Sequence, residues 1–194
     1  MSEFTKGDFL TSQVSPRRAT EVLIVLTIMV IAMGGMIRIY DAGESCPDWP
    51  TCFGTLGFDI SEEEQGEWWE ENPDEADSRG SGHRYTSFQI FTEWFHRLLA
   101  GALVGPLVIV NWFLVRREIW NSPRVQGVSS LTFALILWQG AVGWLTVKFD
   151  NENWSVAIHL GSALAFMISL IWLWIEIRRD EGDLPNWINF DPLV

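Results

Sequence analysis

The chain has 194 residues, 48% of them hydrophobic, yet its formal net charge is −12. So acidic a surface excludes nucleic acid as a partner. A chain both this acidic and this apolar requires the two kinds of residue to lie in separate stretches, and the length suits one domain.

The first apolar run, Ala19–Ile39, follows Lys6, Arg17 and Arg18. It is too long for the apolar part of a signal peptide, and no small-x-small cleavage site precedes Arg38, so it reads as a retained helix. Arg38, at the far end of this helix, either meets an anionic group or snorkels to the interface.

Residues 41–87 form a long polar loop. Cys46 and Cys52, the two cysteines of the chain, lie at its start. On an oxidising side of the membrane a disulfide is the first reading, and Pro47 and Pro50 favour the tight turn it needs. An exposed, strained disulfide is labile, which leaves a redox role open. Zinc is disfavoured, since two cysteines without further partners make a poor site. Glu62–Asp77 is an acidic tract that reads as a solvated, partly disordered insert, although Trp68 and Trp69 require something to pack against. His83, among Gly80, Ser81 and Gly82, reads as a surface residue.

The second run, Phe88–Val115, holds Glu93, His96 and Arg97. An ionisable group inside a membrane span is costly and marks function by default. Glu93 lies one turn before His96 on the same helical face, where it either handles protons or orients the imidazole. Arg97 either pairs with Glu93 or binds a carboxylate. Gly101-x-x-x-Gly105 is a candidate close-packing face, and Pro106 is a candidate kink.

The third run, Val125–Val147, carries Gly140-x-x-Gly143, and the fourth, Trp154–Ile177, carries His159. Each run is long enough for a helix to cross a hydrocarbon core of about 30 Å. Trp112, Trp120, Trp144, Trp154, Trp172 and Trp174 near the ends form an interfacial belt. Arg116, Arg117 and Arg124 between the second and third runs, with Arg178 and Arg179 after the fourth, put both termini in the cytoplasm and the 41–87 loop outside.

The resulting expectation is an all-α, multi-pass cell-membrane protein, a single domain over 1–194. It is a bundle of four transmembrane helices (about 19–39, 88–115, 125–147 and 154–177) with a long acidic extracytoplasmic loop between helices 1 and 2. His96 enters its helix about 12 Å from the outer end and His159 about 8 Å. Two imidazoles at one depth on neighbouring helices suit axial ligation of a haem iron. As single polar residues they would instead bond an adjacent helix.

Several segments together resemble the haem A synthase family. They are Gly34-Gly35-Met36-Ile37-Arg38, Ser45-Cys46-Pro47-Asp48-Trp49-Pro50-Thr51-Cys52-Phe53-Gly54, Glu93-Trp94-Phe95-His96-Arg97, Gln139-Gly140-Ala141-Val142-Gly143-Trp144-Leu145-Thr146-Val147 and His159-Leu160. The resemblance implies a membrane oxidoreductase that oxidises the C8 methyl of haem O to the formyl of haem A. His96 and His159 would be axial iron ligands, Glu93 the group at the reacting methyl, and Cys46 and Cys52 the family's external pair, linked to haem handover or redox function. With a haem so placed, Arg38 and Arg97 would compensate its propionate charge. Haem B as cofactor and haem O or A as substrate and product are implied, with a haem O synthase or an oxidase assembly factor as partner and lipid around the helices. Most family members have two such halves. One half has one histidine pair, so a homo-oligomer is expected. Two rival readings stay open on the sequence: a non-catalytic bis-histidine haem protein for electron transfer or haem delivery, and a thiol–disulfide membrane protein.

Overall fold

The computed structural model describes residues 15–75, 77–117 and 122–184. Lys6 and Trp120 lie outside these residues. Among the described residues five α-helices follow one another: α1 (Pro16–Ile39), α2 (Glu62–Glu71), α3 (Ser87–Arg117), α4 (Pro123–Lys148) and α5 (Asn153–Asp180). All but α2 are long and apolar enough to cross a membrane, and the described residues contain no strand. The protein is an all-α, multi-pass membrane protein.

The spanning helices start one to three residues earlier than the apolar runs because polar caps begin them. Ser15 accepts from the Arg18 N–H ahead of Pro16, and Ser122 does the same for Val125 ahead of Pro123. Thr86 and Gln89 cap each other reciprocally at the start of α3. Such caps satisfy amide groups that the first turn leaves without partners. Pro106 follows a change of helical register. The seven residues before Gly105, Leu98–Val104, widen into a π-helical stretch. That register relieves the clash a proline ring makes with the carbonyl four residues back.

α3 packs on α4 and α4 on α5, and α1 closes the ring by packing on α3 and α5. The diagonals of the bundle are therefore α1 with α4 and α3 with α5. The histidine-bearing helices, expected to be adjacent, instead face each other across the bundle. Leu23 of α1, Val104 and Val108 of α3, and Phe166 and Leu170 of α5 fill its middle. Lipid is as apolar as this core, so interhelical polar bonds add to van der Waals packing. The buried Asn111 amide donates to Thr20 Oγ at 3.0 Å, worth roughly 1 kcal/mol in this setting. At the helix ends, Arg116, Lys148 and Arg178 lie over the rings of Trp112, Trp144 and Trp174.

The acidic tract departs from expectation. Residues 62–71 are helical, started by a capping box between Ser61 and Glu64 with three glutamates in the first turn, where the helix dipole favours them. Trp69 is buried, and Trp68 and Trp69 both meet Phe53 edge-on. This cluster, with Cys46, Cys52, Ile60, Tyr85 and Ile90, is a small core of its own on the start of α3. His83 is half-buried against Tyr85, with ring centroids 4.7 Å apart, rather than free on the surface.

Candidate functional site

Two clusters of polar side chains converge at the end of the bundle that carries the 41–87 loop. The first is built on α3. Glu93 is buried, and one of its oxygens accepts from Ser45 Oγ and from the Cys46 N–H, each at 3.0 Å. Its other oxygen receives the Arg97 guanidinium, one helical turn on. Arg97 also donates to the carbonyls of Cys46 at 2.6 Å and Asp48 at 2.7 Å. Of the two partners expected for Arg97, the structure supplies Glu93. The sulfurs of Cys46 and Cys52 are 2.05 Å apart, and both residues are fully buried. The disulfide loop thus lies along α3, clamped by Glu93 and Arg97.

The second cluster is the histidine pair. His96 and His159 are each half-buried. Each ring stands over a glycine on an antiparallel neighbouring helix. A Cβ on Gly34 would sit 3.4 Å from His96 Cε1, and one on Gly143 would sit 3.0 Å from His159 Cε1. Gly34 lies five residues before the end of α1 and Gly143 five before the end of α4, so the imidazoles share a level. His96 Nδ1 is 3.1 Å from the Val30 carbonyl. A carbonyl only accepts, so Nδ1 carries the proton and Nε2 keeps a free lone pair. Glu93 is not the group that orients this ring. His159 Nδ1 is 3.2 Å from Gln139 Nε2.

Arg38 is exposed and donates to Asn153, joining the end of α1 to the start of α5. Among the expected close-packing glycines, a Cβ added at Gly101 or Gly140 would meet no neighbouring element within 4 Å, and one at Gly105 would meet only the Ala100 carbonyl of its own helix. Gly143 makes its close approach to the histidine ring.

The donor set fits a porphyrin better than a bare ion. Among the described residues no three His, Cys, Asp or Glu side chains converge to hold a metal. A haem brings four nitrogens of its own and asks the protein for one or two axial ligands. The bare helix surface at Gly34 and Gly143 keeps both rings free of neighbouring side chains there.

Comparison with known proteins decides the family. The model of COX15-CtaA, described as cytochrome oxidase assembly protein, matches residues 17–192. The chain belongs to the COX15-CtaA family. It is 31% identical over 175 residues to a heme A synthase of Shewanella oneidensis, covering 89% of this chain and 49% of that protein. It is 30% identical over 198 residues to a heme A synthase of Sphingopyxis alaskensis, covering 90% of this chain and 54% of that one. A heme A synthase-mitochondrial ferredoxin fusion protein of Schizosaccharomyces pombe is 25% identical, over 76% of this chain and 26% of its own length. The chain thus spans about half the length of the first two of these curated relatives. No solved structure matches it.

Within this COX15-CtaA chain, sequence reasoning missed four groups. Ser45 and the Cys46 N–H grip Glu93, the Val30 carbonyl orients His96, and Gln139 with Ser162 holds His159. Backbone donors and acceptors leave no mark in a residue pattern. Gln139 opens one of the segments that carry the family resemblance, but nothing in that pattern ties it to His159. The fourth is Glu44, buried in the loop with both oxygens lacking a hydrogen-bond partner. Burial, followed by the nearby Asp77 charge, pushes its carboxyl up to about 7.

Proposed function

We propose that this chain is a haem A synthase-like membrane oxidoreductase that converts the C8 methyl of haem O to the formyl group of haem A. The observation that carries this reading is the pair of imidazoles at one level on facing helices, next to a buried carboxylate, in a COX15-CtaA chain. Oxidising a methyl to a formyl takes water as the oxygen source and releases four protons and four electrons; the electrons would leave through haem iron to an oxidant outside this chain. Bound haem would supply the redox-active iron and, as substrate, the methyl group.

The protein's own residues divide the remaining work. His96 and His159 hold the iron. Arg38, exposed at the loop end of α1, compensates propionate charge; Arg97 serves Glu93 and the disulfide loop before any propionate. Glu93, fixed by Ser45, Cys46 and Arg97, stabilises positive charge developing at the methyl carbon or positions the attacking water. The Cys46–Cys52 loop covers Glu93 and holds it in place; the disulfide is buried rather than exposed, which does not favour the labile, redox-active reading. In this reading the chain sits in the cell membrane with cytoplasmic termini and the 41–87 loop outside. A second haem would occupy a second four-helix unit, for which a second copy of this chain is the first candidate. A haem O synthase is the natural supplier of substrate, and an oxidase assembly factor the natural recipient of product.

The test is pigment analysis. Membranes containing the chain and supplied with haem O should accumulate haem A, identified by mass. Glu93→Gln should retain bound haem and yield no formyl product. Parental haem A formation by that variant would remove Glu93 from the chemistry, and haem B alone in the purified wild type would favour an electron carrier. Cross-linking in detergent tests the oligomer: a monomer with full activity would refute it.

A further inference from the structure

The two histidines differ in which nitrogen carries the proton. His96 Nδ1 faces the Val30 carbonyl at 3.1 Å and must donate, leaving Nε2 ready to bind a metal. His159 meets an amide instead. Gln139 Nε2 lies 3.2 Å from the His159 carbonyl, which only accepts, and 3.2 Å from His159 Nδ1. Gln139 Oε1 is 2.5 Å from the Ser162 hydroxyl, which also reaches the His159 carbonyl at 2.9 Å. Turning the amide over would set Oε1 against that carbonyl, two acceptors facing each other. The network therefore orients the NH2 toward His159, one hydrogen to the carbonyl and the other to Nδ1. With Nδ1 accepting, the neutral ring carries its proton on Nε2, the nitrogen that must be bare to bind iron.

We propose that Gln139 is a positioning residue that makes His159 the weaker, displaceable axial ligand, while Val30 makes His96 the permanent one. This rests on the haem reading above. For His159 to bind iron through Nε2, its proton moves to Nδ1 and the bond from Gln139 is lost. The ring's net charge is unchanged; only the proton's position differs. A bond of this kind contributes enough that its loss weakens ligation about tenfold. The asymmetry suits a site that must take in a haem and let one go, because one ligand holds while the other releases.

Carbon monoxide binding to the ferrous protein reads this out. The purified full chain is loaded with iron protoporphyrin IX and reduced, and CO association is followed by absorbance. Gln139→Leu removes the amide and frees Nδ1, while Ser162 still serves the His159 carbonyl. His159 should then bind iron more tightly, and CO association should slow about tenfold. Gln139→Met is the second variant, should the branched side chain disturb the fold. A residue that merely held His159 in place would give the opposite result, faster CO association. Either that acceleration or rates within twofold of wild type in both variants overturns the inference. The CO-bound spectrum of wild type should also match that of His159→Ala and differ from that of His96→Ala; a match to His96→Ala overturns it. Failure to form any six-coordinate haem spectrum sinks the haem reading itself, whereas a six-coordinate spectrum with CO rates indifferent to residue 139 sinks only this inference.

Discussion

Gly143 on α4 lies directly under the His159 ring on α5, so close that a methyl group there would sit 3.0 Å from Cε1. Gly34 on α1 stands in the same relation to His96 on α3, at a looser 3.4 Å. The bundle thus repeats one device twice, an antiparallel helix pair with an imidazole laid over a glycine.

The difference between the two gaps predicts a difference between two mild substitutions. Gly143→Ala forces His159 to shift by a few tenths of an ångström, and haem affinity should fall about tenfold, as it does when groups that orient a metal ligand are lost. Gly34→Ala places its methyl at ordinary contact distance, and affinity should stay within about twofold of wild type. Titrating iron protoporphyrin IX into the haem-free proteins measures both. Equal losses in the two variants would mean that the glycines serve helix packing and not the rings.

Glu93 and Arg97 should behave as a coupled pair. Arg97→Gln strips Glu93 of its charged partner in a nearly buried site and releases the Cys46 and Asp48 carbonyls. Removing one member of such a pair typically destabilises by about 3 to 5 kcal/mol. Glu93→Gln with Arg97→Gln should recover part of that loss, because no buried charge is then left alone. Thermal unfolding of the two single variants and the double variant in detergent closes the cycle. A double variant whose loss equals the sum of the singles would show that the two side chains act independently.

Legibility in the sequence followed the physics of each feature. The four spanning helices were readable because lipid demands about twenty consecutive apolar residues, and no propensity argument competes with that. Their starts were missed by a few residues because Ser15, Thr86 and Ser122 are polar and fall outside any hydropathy window. His96, His159 and Glu93 stood out as ionisable residues in apolar surroundings. Which helices would be neighbours was not readable: ring closure by α1 against α5 depends on packing that no local pattern encodes. Charge dominated the reading of 62–71, yet Ser61 with Glu64 and the Trp68–Trp69 pair were the helix signals within it. The partners of the site are largely main-chain atoms of Val30, Cys46, Asp48 and His159, which any residue type supplies.

The disulfide should stabilise the 41–87 loop without creating the haem site. Cys46 and Cys52 close a loop of sequence separation 6. Constraining so short a loop in the unfolded chain contributes about 2 kcal/mol. Cys52→Ser leaves the Cys46 N–H free to donate to Glu93, so haem binding should persist while the thermal midpoint falls by several degrees. Cys46→Ser should behave likewise, since its donor to Glu93 is main chain. Haem titration beside thermal unfolding separates the two effects; loss of haem in both variants would place the disulfide in the binding site.

Glu44 should make the 41–87 loop sensitive to pH. Burial is the main cause that raises its carboxyl from 4.5 to about 7, with Asp77 and Asp150 adding to the rise and Arg79, 4.0 Å away, opposing it. The Asn151 amide faces the same carboxyl and also favours its charged form. Folding therefore strengthens proton binding at Glu44. Below the unfolded value both states are protonated, and the group leaves stability untouched. As pH rises from 4.5 to about 7, the unfolded chain releases its proton first and stability falls. Above that window both states are charged and the loss is constant. Glu44→Gln removes the titrating group, so the variant should gain on wild type across the window and hold a fixed advantage at higher pH. Thermal midpoints of the two proteins in detergent, compared at each pH so that other titrations cancel, give the difference curve. A flat difference would show that Glu44 is as easily ionised in the folded protein as in water.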